Sequence, residues 1–393
     1  MAPHGGACVD LKEIATRLKS RGYDIRLVVP EYDGIFPRGS VDRELLSVET
    51  HKVPFSSKTF NRFFLPRRIG AKVEALSPDF VYLGDSYFLK PFLYRALQNH
   101  RVISRFYTYE LLCPNYYLLY KNGKKCTLNY LDTPLDCVSC ALEGMKKNIQ
   151  SLDLEVWSHE FLMSLGFLPS YNQFVKDSFS FCETLITYND LASSLLSPFH
   201  PDVKTFPGGV DTGNFFHVQR PIKRVKRILL TGRLMDPRKG LLFFIENIRK
   251  LRRERGDFDV VITYDQNFGE DYIKSLGWVN HSAIKSLYND VDICVVPSLW
   301  EEPFGMVALE AMASGKPVVA SAVSGLRMSV DDGVTGFLFP SGDGPKMIEA
   351  LNTLLDSPEL MTSMGAAGRK RAEKYFDWER VVDRYCDEVF ERG

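Results

Sequence analysis

Residues 297–315 read Pro297-Ser298-Leu299-Trp300-Glu301-Glu302-Pro303-Phe304-Gly305-Met306-Val307-Ala308-Leu309-Glu310-Ala311-Met312-Ala313-Ser314-Gly315. The apolar run Ile293-Cys294-Val295-Val296 just before them predicts a buried strand that ends at Pro297. A loop follows, and then a predicted helix from about Gly305 to Ser314, closed by Gly315. At that helix start the amides of Gly305, Met306 and Val307, just after Phe304, lack intrahelical acceptors and form an anion site able to cradle a phosphate. Glu302 stands in the loop, and Glu310 lies on the helix within reach of a sugar hydroxyl. Carboxylates accept hydrogen bonds from hydroxyls, so two of them flanking an anion site suit a sugar attached to a diphosphate. One glutamate alone would do no more than balance the helix dipole; the whole segment goes further.

A second segment, Thr231-Gly232-Arg233-Leu234-Met235-Asp236-Pro237-Arg238-Lys239-Gly240, follows the predicted strand Arg227–Thr231 and precedes a helix from near Leu241. Cations leaving a strand end in the first β–α turn of a domain can neutralise a diphosphate, and an arginine can do so bidentately. An isolated basic loop would be merely solvated; its place as a first turn changes that balance.

Outward from these segments the chain alternates strand and helix. Further strand candidates are Ile25–Pro30, Phe80–Leu83, Arg101–Ser104, Thr184–Thr187, Asp259–Ile262 and Pro317–Ala320. Short β-branched runs spaced by helices imply parallel sheets buried on both faces. Phe206-Pro207-Gly208-Gly209-Val210-Asp211 breaks any element and divides the chain into domains 1–205 and 206–375. Two doubly wound domains should face each other across a cleft, with ligands at the strands' carboxyl ends. The final helix, 378–390, has an apolar stripe (Val381, Val382, Tyr385, Val389) that must dock on one of them, the first domain being one choice.

Composition agrees. At roughly 100–200 residues per domain, 393 residues make two. Lys+Arg and Asp+Glu number 49 each, so no global field holds a polyanion and no nucleic-acid partner is expected. No apolar run approaches the roughly 18 residues of a membrane span. Eight cysteines in so long a chain do not make a disulfide scaffold, and a reducing, cytoplasmic setting is the default expectation. Disorder, collagen and a small secreted fold are excluded.

The two segments, with Phe206–Asp211, Leu276-Gly277-Trp278-Val279 and Asp331-Asp332-Gly333-Val334-Thr335-Gly336-Phe337-Leu338, resemble family 4 of the retaining glycosyltransferases (glycosyl transferases group 1), which have the GT-B fold. The pair Glu302 and Glu310 (E-x7-E), G-R-L…K-G and D-G-x-T-G-F arrive in the family's order across the second half. The first half matches more weakly, through Gly5-Gly6 and Pro78–Tyr82. The resemblance implies an α/β protein of two Rossmann-like domains, and transfer of a hexose from a UDP- or GDP-hexose to a saccharide or lipid-linked acceptor. Anomeric configuration is retained, and no metal or other cofactor is obligatory for catalysis. Arg233 and Lys239 would bind the donor diphosphate, with Arg238 a rival because the loop is one residue longer than the commonest form. Glu302 and the amides after Phe304 would hold the sugar, Glu310 the ribose, and Gly5 and Gly6 would face the donor phosphates.

Departures from the family pattern open an alternative. Many relatives carry a histidine where this chain has Tyr107, upstream of Leu111-Leu112-Cys113-Pro114, and only Gly325 survives of the usual G-G-x-P-E loop. A phenol hydrogen-bonds but is no cation near neutral pH. A non-catalytic nucleotide-sugar-binding GT-B protein is therefore the second reading.

Cys113, Cys126, Cys137 and Cys140 form C-x12-C-x10-C-x2-C, which fits either a structural zinc site or free thiols in an insertion spanning 113–140. Arg62-Phe63-Phe64-Leu65-Pro66-Arg67-Arg68 and Arg249–Arg255 are basic stretches that suit either peripheral docking on anionic lipid or a solvated helix face. The chain opens on Gly5-Gly6 with a helix and then a strand after it, but no strand before it. A βαβ unit begins with a strand, so a central first strand is expected upstream, as in a truncated gene model.

Overall fold

In the computed structural model the described residues are 6–34, 38–41, 48–84, 87–115, 119–121, 124–150, 156–216 and 224–391. The chain forms two compact units. One comprises residues 1–119, 126–206 and 384–393; the other comprises 120–125 and 207–383. The division falls directly after Phe206.

In the first unit the strands are β1 (Arg26–Tyr32), β2 (Glu49–Phe55), β3 (Val81–Leu83) and β4 (Val102–Arg105). A hairpin, β5 (Tyr120–Lys121) and β6 (Lys124–Lys125), then departs to the second unit. The first unit resumes with β7 (Thr184–Thr187) and β8 (Val203–Thr205). Its named strands pair in parallel, in the order β3-β4-β7-β8, with β1-β2 as a separate pair, and a lone bridge from Tyr32 to Arg38 is antiparallel. Every residue of β4 and β7 is buried, as strands covered on both faces must be. Gly5 and the residues before it lie outside the described residues. Gly6 does not form a turn: it is the first residue of the helix Gly6–Ser20. That helix buries Ile14, Ala15 and Leu18, and also Asp10.

Asp10 meets Arg105 at the end of β4. The fully buried guanidinium donates to Thr187 O (3.1 Å), Phe206 O (2.9 Å) and Asp10 Oδ1 (3.3 Å), and lies 3.9 Å from the Tyr188 ring centroid. One cation thus ties the ends of β4 and β7 to the helix. The helix Trp378–Tyr385 passes into wider turns over Cys386–Phe390. Phe390 stacks on Phe80 of the first unit at 4.8 Å between centroids.

Besides that hairpin, the second unit has the strands β9 (Lys226–Leu230), β10 (Phe258–Ile262), β11 (Ile273–Ser275), β12 (Ile293–Val296), β13 (Val318–Ser321) and β14 (Gly336–Phe339), the six of its main sheet. They form one parallel sheet in the order β11-β10-β9-β12-β13-β14. The chain winds outward from β9 through β10 and β11, then returns to add β12 on the other side of β9. The crevice between β9 and β12 is the topological switch point, where open sheets of this kind bind ligands. The helix Leu241–Glu254 carries apolar residues at 241, 244, 245, 248 and 251, the stripe that packs it into the core with β9 and β10.

The helix Met306–Ala313 is positioned by close backbone approach. A side-chain carbon on Gly365, in the helix Pro358–Arg371, would sit 2.2 Å from Gly315 O. Gly365→Ala is therefore expected to lose about 2–3 kcal/mol in urea unfolding of the whole chain through overpacking. Gly342→Ala meets open space at a φ of +80° and should lose only about 1 kcal/mol. Equal losses would remove the packing argument.

Candidate functional site

The site is built where β9 and β12 end. Beyond β9, Gly232 takes a φ of +123°, and a carbon added there would meet Val307 Cγ2 at 3.5 Å, so the turn lies against the start of the helix Met306–Ala313. Asp236 caps the short helical turn Pro237–Lys239 by accepting from Arg238 N at 3.0 Å. Gly240 then takes a φ of +79° with its α-carbon against Pro297; any side chain would meet Pro297 O at 2.0 Å. Leu299 N donates to Arg238 O at 2.7 Å, closing the two strand-end turns onto one another.

This geometry separates the three cations. Arg238 lays its guanidinium bidentately on Asp236, at 2.7 and 2.8 Å, and is occupied locally. Lys239 instead reaches the other turn, where its ammonium donates to both oxygens of Glu302, at 2.8 and 2.7 Å. Arg233 is exposed and forms no ion pair among the described residues. Of the two neighbouring cations, Lys239 faces Glu302 and Arg238 faces Asp236.

Glu302 is buried and accepts two further hydrogen bonds on Oε2, from Ser298 Oγ (3.1 Å) and Trp300 Nε1 (3.2 Å). Its neighbour Glu301 has a separate cation: Lys125 of β6 lies 2.6 Å from Oε1, while Ser324 N donates to Oε2 at 2.9 Å. Burial works to raise Glu301, but Lys125 and the contacts of Ser324 outweigh it and hold the carboxyl below its usual range. Gly325 closes the loop, its N–H donating to Glu302 O at 2.9 Å; a side-chain carbon there would strike Phe304 N at 2.5 Å.

Gly305, at a φ of +87°, precedes the helix without any side-chain cap. Among the described residues the amides of Gly305, Met306 and Val307 donate to nothing. These are the unsatisfied donors of a helix start, beside a pair of opposite charges. Four residues past Met306, Glu310 receives the Tyr288 hydroxyl at 2.8 Å. Glu302, Lys239, Phe304 and the three amides therefore converge, with Arg233 exposed on the facing turn and Glu310 farther along the same helix. Sequence reading missed Ser298, Trp300, Tyr288 and Lys125. Trp300 lies inside the quoted stretch, but nothing in its spacing signals that it donates to Glu302.

Elsewhere the structure corrects or limits what the sequence suggested. Tyr107 is buried, its N–H donating to Glu110 Oε1 at 2.9 Å; burial and the nearby Asp10 push its phenol well above the usual range, so it stays neutral. None of the four insertion cysteines forms a disulfide. Asn115 joins two of them: its carbonyl accepts from Cys113 Sγ, and its side-chain amide donates to Cys140 Sγ, each at 3.2 Å. Among the described residues no three His, Cys, Asp or Glu side chains are grouped to hold a metal ion. In the stretch Arg249–Arg255, Arg249 pairs with Glu270, Lys250 with Glu246, and Arg255 with Asp257 and Asp356, so most of it is a neutralised helix face. Phe63 and Phe64, by contrast, are exposed beside Arg62. No described helix is long and apolar enough to cross a membrane.

Comparison with known proteins bears on the family and the fold. Residues 225–357 match the model of the family Glycosyl transferases group 1. Glycogen synthase of Mycobacterium tuberculosis is 28% identical over 222 residues, 53% of this chain and 53% of that protein. Phosphatidyl-myo-inositol mannosyltransferase of Mycobacterium leprae is 31% identical over 169 residues, 40% of this chain and 45% of that protein. The chain thus spans about half the length of the curated relatives it matches. Among solved structures, Anabaena Alr3699/HepE in complex with UDP-glucose superposes with a TM-score of 0.67 at 17% identity, over 99% of this chain and 97% of that one. Likeness at this level establishes the fold: two Rossmann-like units of the GT-B type.

The different engagement of the two neighbouring cations gives a direct test. Lys239→Ala should weaken binding of inorganic pyrophosphate by about tenfold or more in calorimetry, because a direct charge-assisted contact is lost. Arg238→Ala should change it less than about threefold. The reverse order would show that Asp236 does not hold Arg238 in solution.

Proposed function

We propose that this protein is a retaining glycosyltransferase that moves a hexose from a nucleoside-diphosphate sugar to a saccharide or lipid-linked acceptor. One observation carries the reading: the Lys239–Glu302 pair stands beside an uncapped helix start at the switch point of the second sheet. On this reading the donor diphosphate takes Lys239 from Glu302, adds Arg233, and accepts from the amides of Gly305, Met306 and Val307. Glu302, released on one side yet still held by Ser298 and Trp300, then accepts from hydroxyls of the sugar. Glu310 accepts from the ribose.

Electrostatics then favours bond breaking. As the bond from the anomeric carbon to the diphosphate oxygen lengthens, negative charge collects on the leaving group. Lys239, Arg233 and the helix amides are already aimed at it, so the transition state gains more than the ground state. The acceptor oxygen forms its bond on the face that the diphosphate leaves, which retains configuration, and the acceptor hydroxyl's proton passes to the departing diphosphate oxygen. No metal is given a part in this step. A uridine donor is the first to test, because the HepE structure holds UDP-glucose. The acceptor classes follow the two relatives, one named for glycogen and one for a phosphatidyl-inositol. The exposed Phe63 and Phe64 beside Arg62 favour peripheral contact with a lipid surface in the second case.

Release of UDP or GDP from the corresponding hexose donors, with product configuration read by NMR, tests the proposal. Glu302→Gln and Lys239→Ala should each lower turnover by about 100-fold or more with the fold intact. An inverted product or undiminished turnover in both variants would refute it. The neutral Tyr107 favours one competing reading, a non-catalytic nucleotide-sugar-binding protein; donor binding without turnover on any acceptor would select it.

A structural zinc held by Cys113, Cys126, Cys137 and Cys140 is proposed from their spacing. Metal analysis of the purified protein before and after chelation decides it. About one zinc per chain supports the site, and its absence leaves four thiols.

A further inference from the structure

The helix His281–Asn289 carries a tyrosine with no part in the reading above. Tyr288 is fully buried, and its ring meets Phe215 edge-on, with centroids 5.8 Å apart. Its hydroxyl lies 2.8 Å from Glu310 Oε2 and 3.4 Å from Val307 O. A phenol has one proton to donate, and the shorter contact, to a carboxylate, takes it. Among the described residues Glu310 Oε1 has no such partner, and the Glu310 side chain is partly exposed. One oxygen is therefore pinned from the interior while the other is available.

The charged surroundings of Glu310 are sparse. Lys285, one turn before Tyr288, attracts the carboxylate. Cys294 on β12 has a thiol that burial, and then Glu310 itself, push well above its usual range, so it stays neutral. In the helix Pro358–Arg371, Arg369 turns its guanidinium to Phe215 O, Ala313 O and Glu373. In the helix Ser324–Ser329, Arg327 donates to Ala322 O.

Building on the nucleotide-sugar reading, we propose that Tyr288 is a positioning residue: it fixes Glu310 through one oxygen so that the other meets the vicinal hydroxyls of the donor's nucleoside. Loss of hydration raises Glu310 to about 7, against the opposing pull of Tyr288 and Lys285. The ionised form is the better acceptor, so donor affinity is full above about pH 7 and falls below it. The Tyr288 hydroxyl bonds best to that ionised form, so removing it moves the midpoint upward.

Two readouts on the full chain test this. In the free protein, a carbon-13 titration of the Glu310 carboxyl, assigned with Glu310→Gln, should show a midpoint about 0.5 pH units or more higher in Tyr288→Phe than in the parent. An unchanged midpoint overturns the proposal, whatever ligand the protein takes. In calorimetry at neutral pH, Tyr288→Phe should bind UDP or GDP about tenfold more weakly than the parent while binding the 2′,3′-dideoxy counterparts equally. Affinity should recover as pH rises. Equal affinity of parent and variant for the ribonucleotide overturns the proposal as well. A parent protein that binds neither nucleotide refutes the donor-site reading instead, and the carboxyl titration still decides whether Tyr288 positions Glu310.

Discussion

The chemistry of the second unit depends on the close approach of Gly240 to the Pro297 carbonyl. A side-chain carbon would need to sit 2.0 Å from that oxygen, so only glycine lets the turn after β9 close onto the turn after β12. Because Gly240 takes a φ of +79°, the chain turns sharply there and starts a helix in the next residue. Lys239, one residue earlier, is thereby placed against Glu302 across the switch point, while Arg238 stays with Asp236. The same approach lets the Arg238 carbonyl receive the Leu299 amide, so the loop carrying both glutamates is fixed by backbone as well as by charge.

Two adjacent carboxylates in a buried loop would repel one another and resist desolvation if left without partners. The structure answers with separate donor sets. Glu302 has Lys239, Ser298 and Trp300; Glu301 has Lys125 and Ser324. The Lys239–Glu302 pair also gives the resting site its character. Cation and carboxylate satisfy each other, and Ser298 and Trp300 hold Glu302 from the other side, independently of the cation. Glu310 works differently, with hydration loss opposed chiefly by a phenol hydroxyl, so its charge is sensitive to pH near neutrality.

In the first unit one buried arginine plays a comparable organising part. Arg105 joins β4, β7 and the helix Gly6–Ser20 through the carbonyls of Thr187 and Phe206 and the carboxyl of Asp10. Burial raises Asp10 above the usual carboxylate range, with Arg105 opposing. The loop after β4 is anchored by Glu110, which receives the amides of Tyr107 and Thr108 and the buried Lys90. Tyr107 is thus buried beside the group that anchors this loop, a placement that its position in the sequence could not specify.

Most strands were legible as short apolar runs, since Ile293–Val296 or Thr184–Thr187 is buried on both faces and needs no alternation to be recognised. β2, Glu49–Phe55, was not, because its Glu and Lys are exposed, its Thr and His partly so, and the four give no apolar signal. The site divides the same way. Glu302, Lys239 and the helix start at Gly305 are local patterns, set by strand ends, glycine and helix geometry within a few residues, so the sequence alone determined them. Which cation faces Glu302, that Lys125 comes from a hairpin 176 positions before Glu301, and that Tyr288 meets Glu310 were decided only by the tertiary structure. Those contacts join separate elements of the chain: the strand order that sets β12 beside β9 brings Lys239 to Glu302, the packing of the helix His281–Asn289 beside the helix Met306–Ala313 brings Tyr288 to Glu310, and the placement of the β5–β6 hairpin in the second unit brings Lys125 to Glu301.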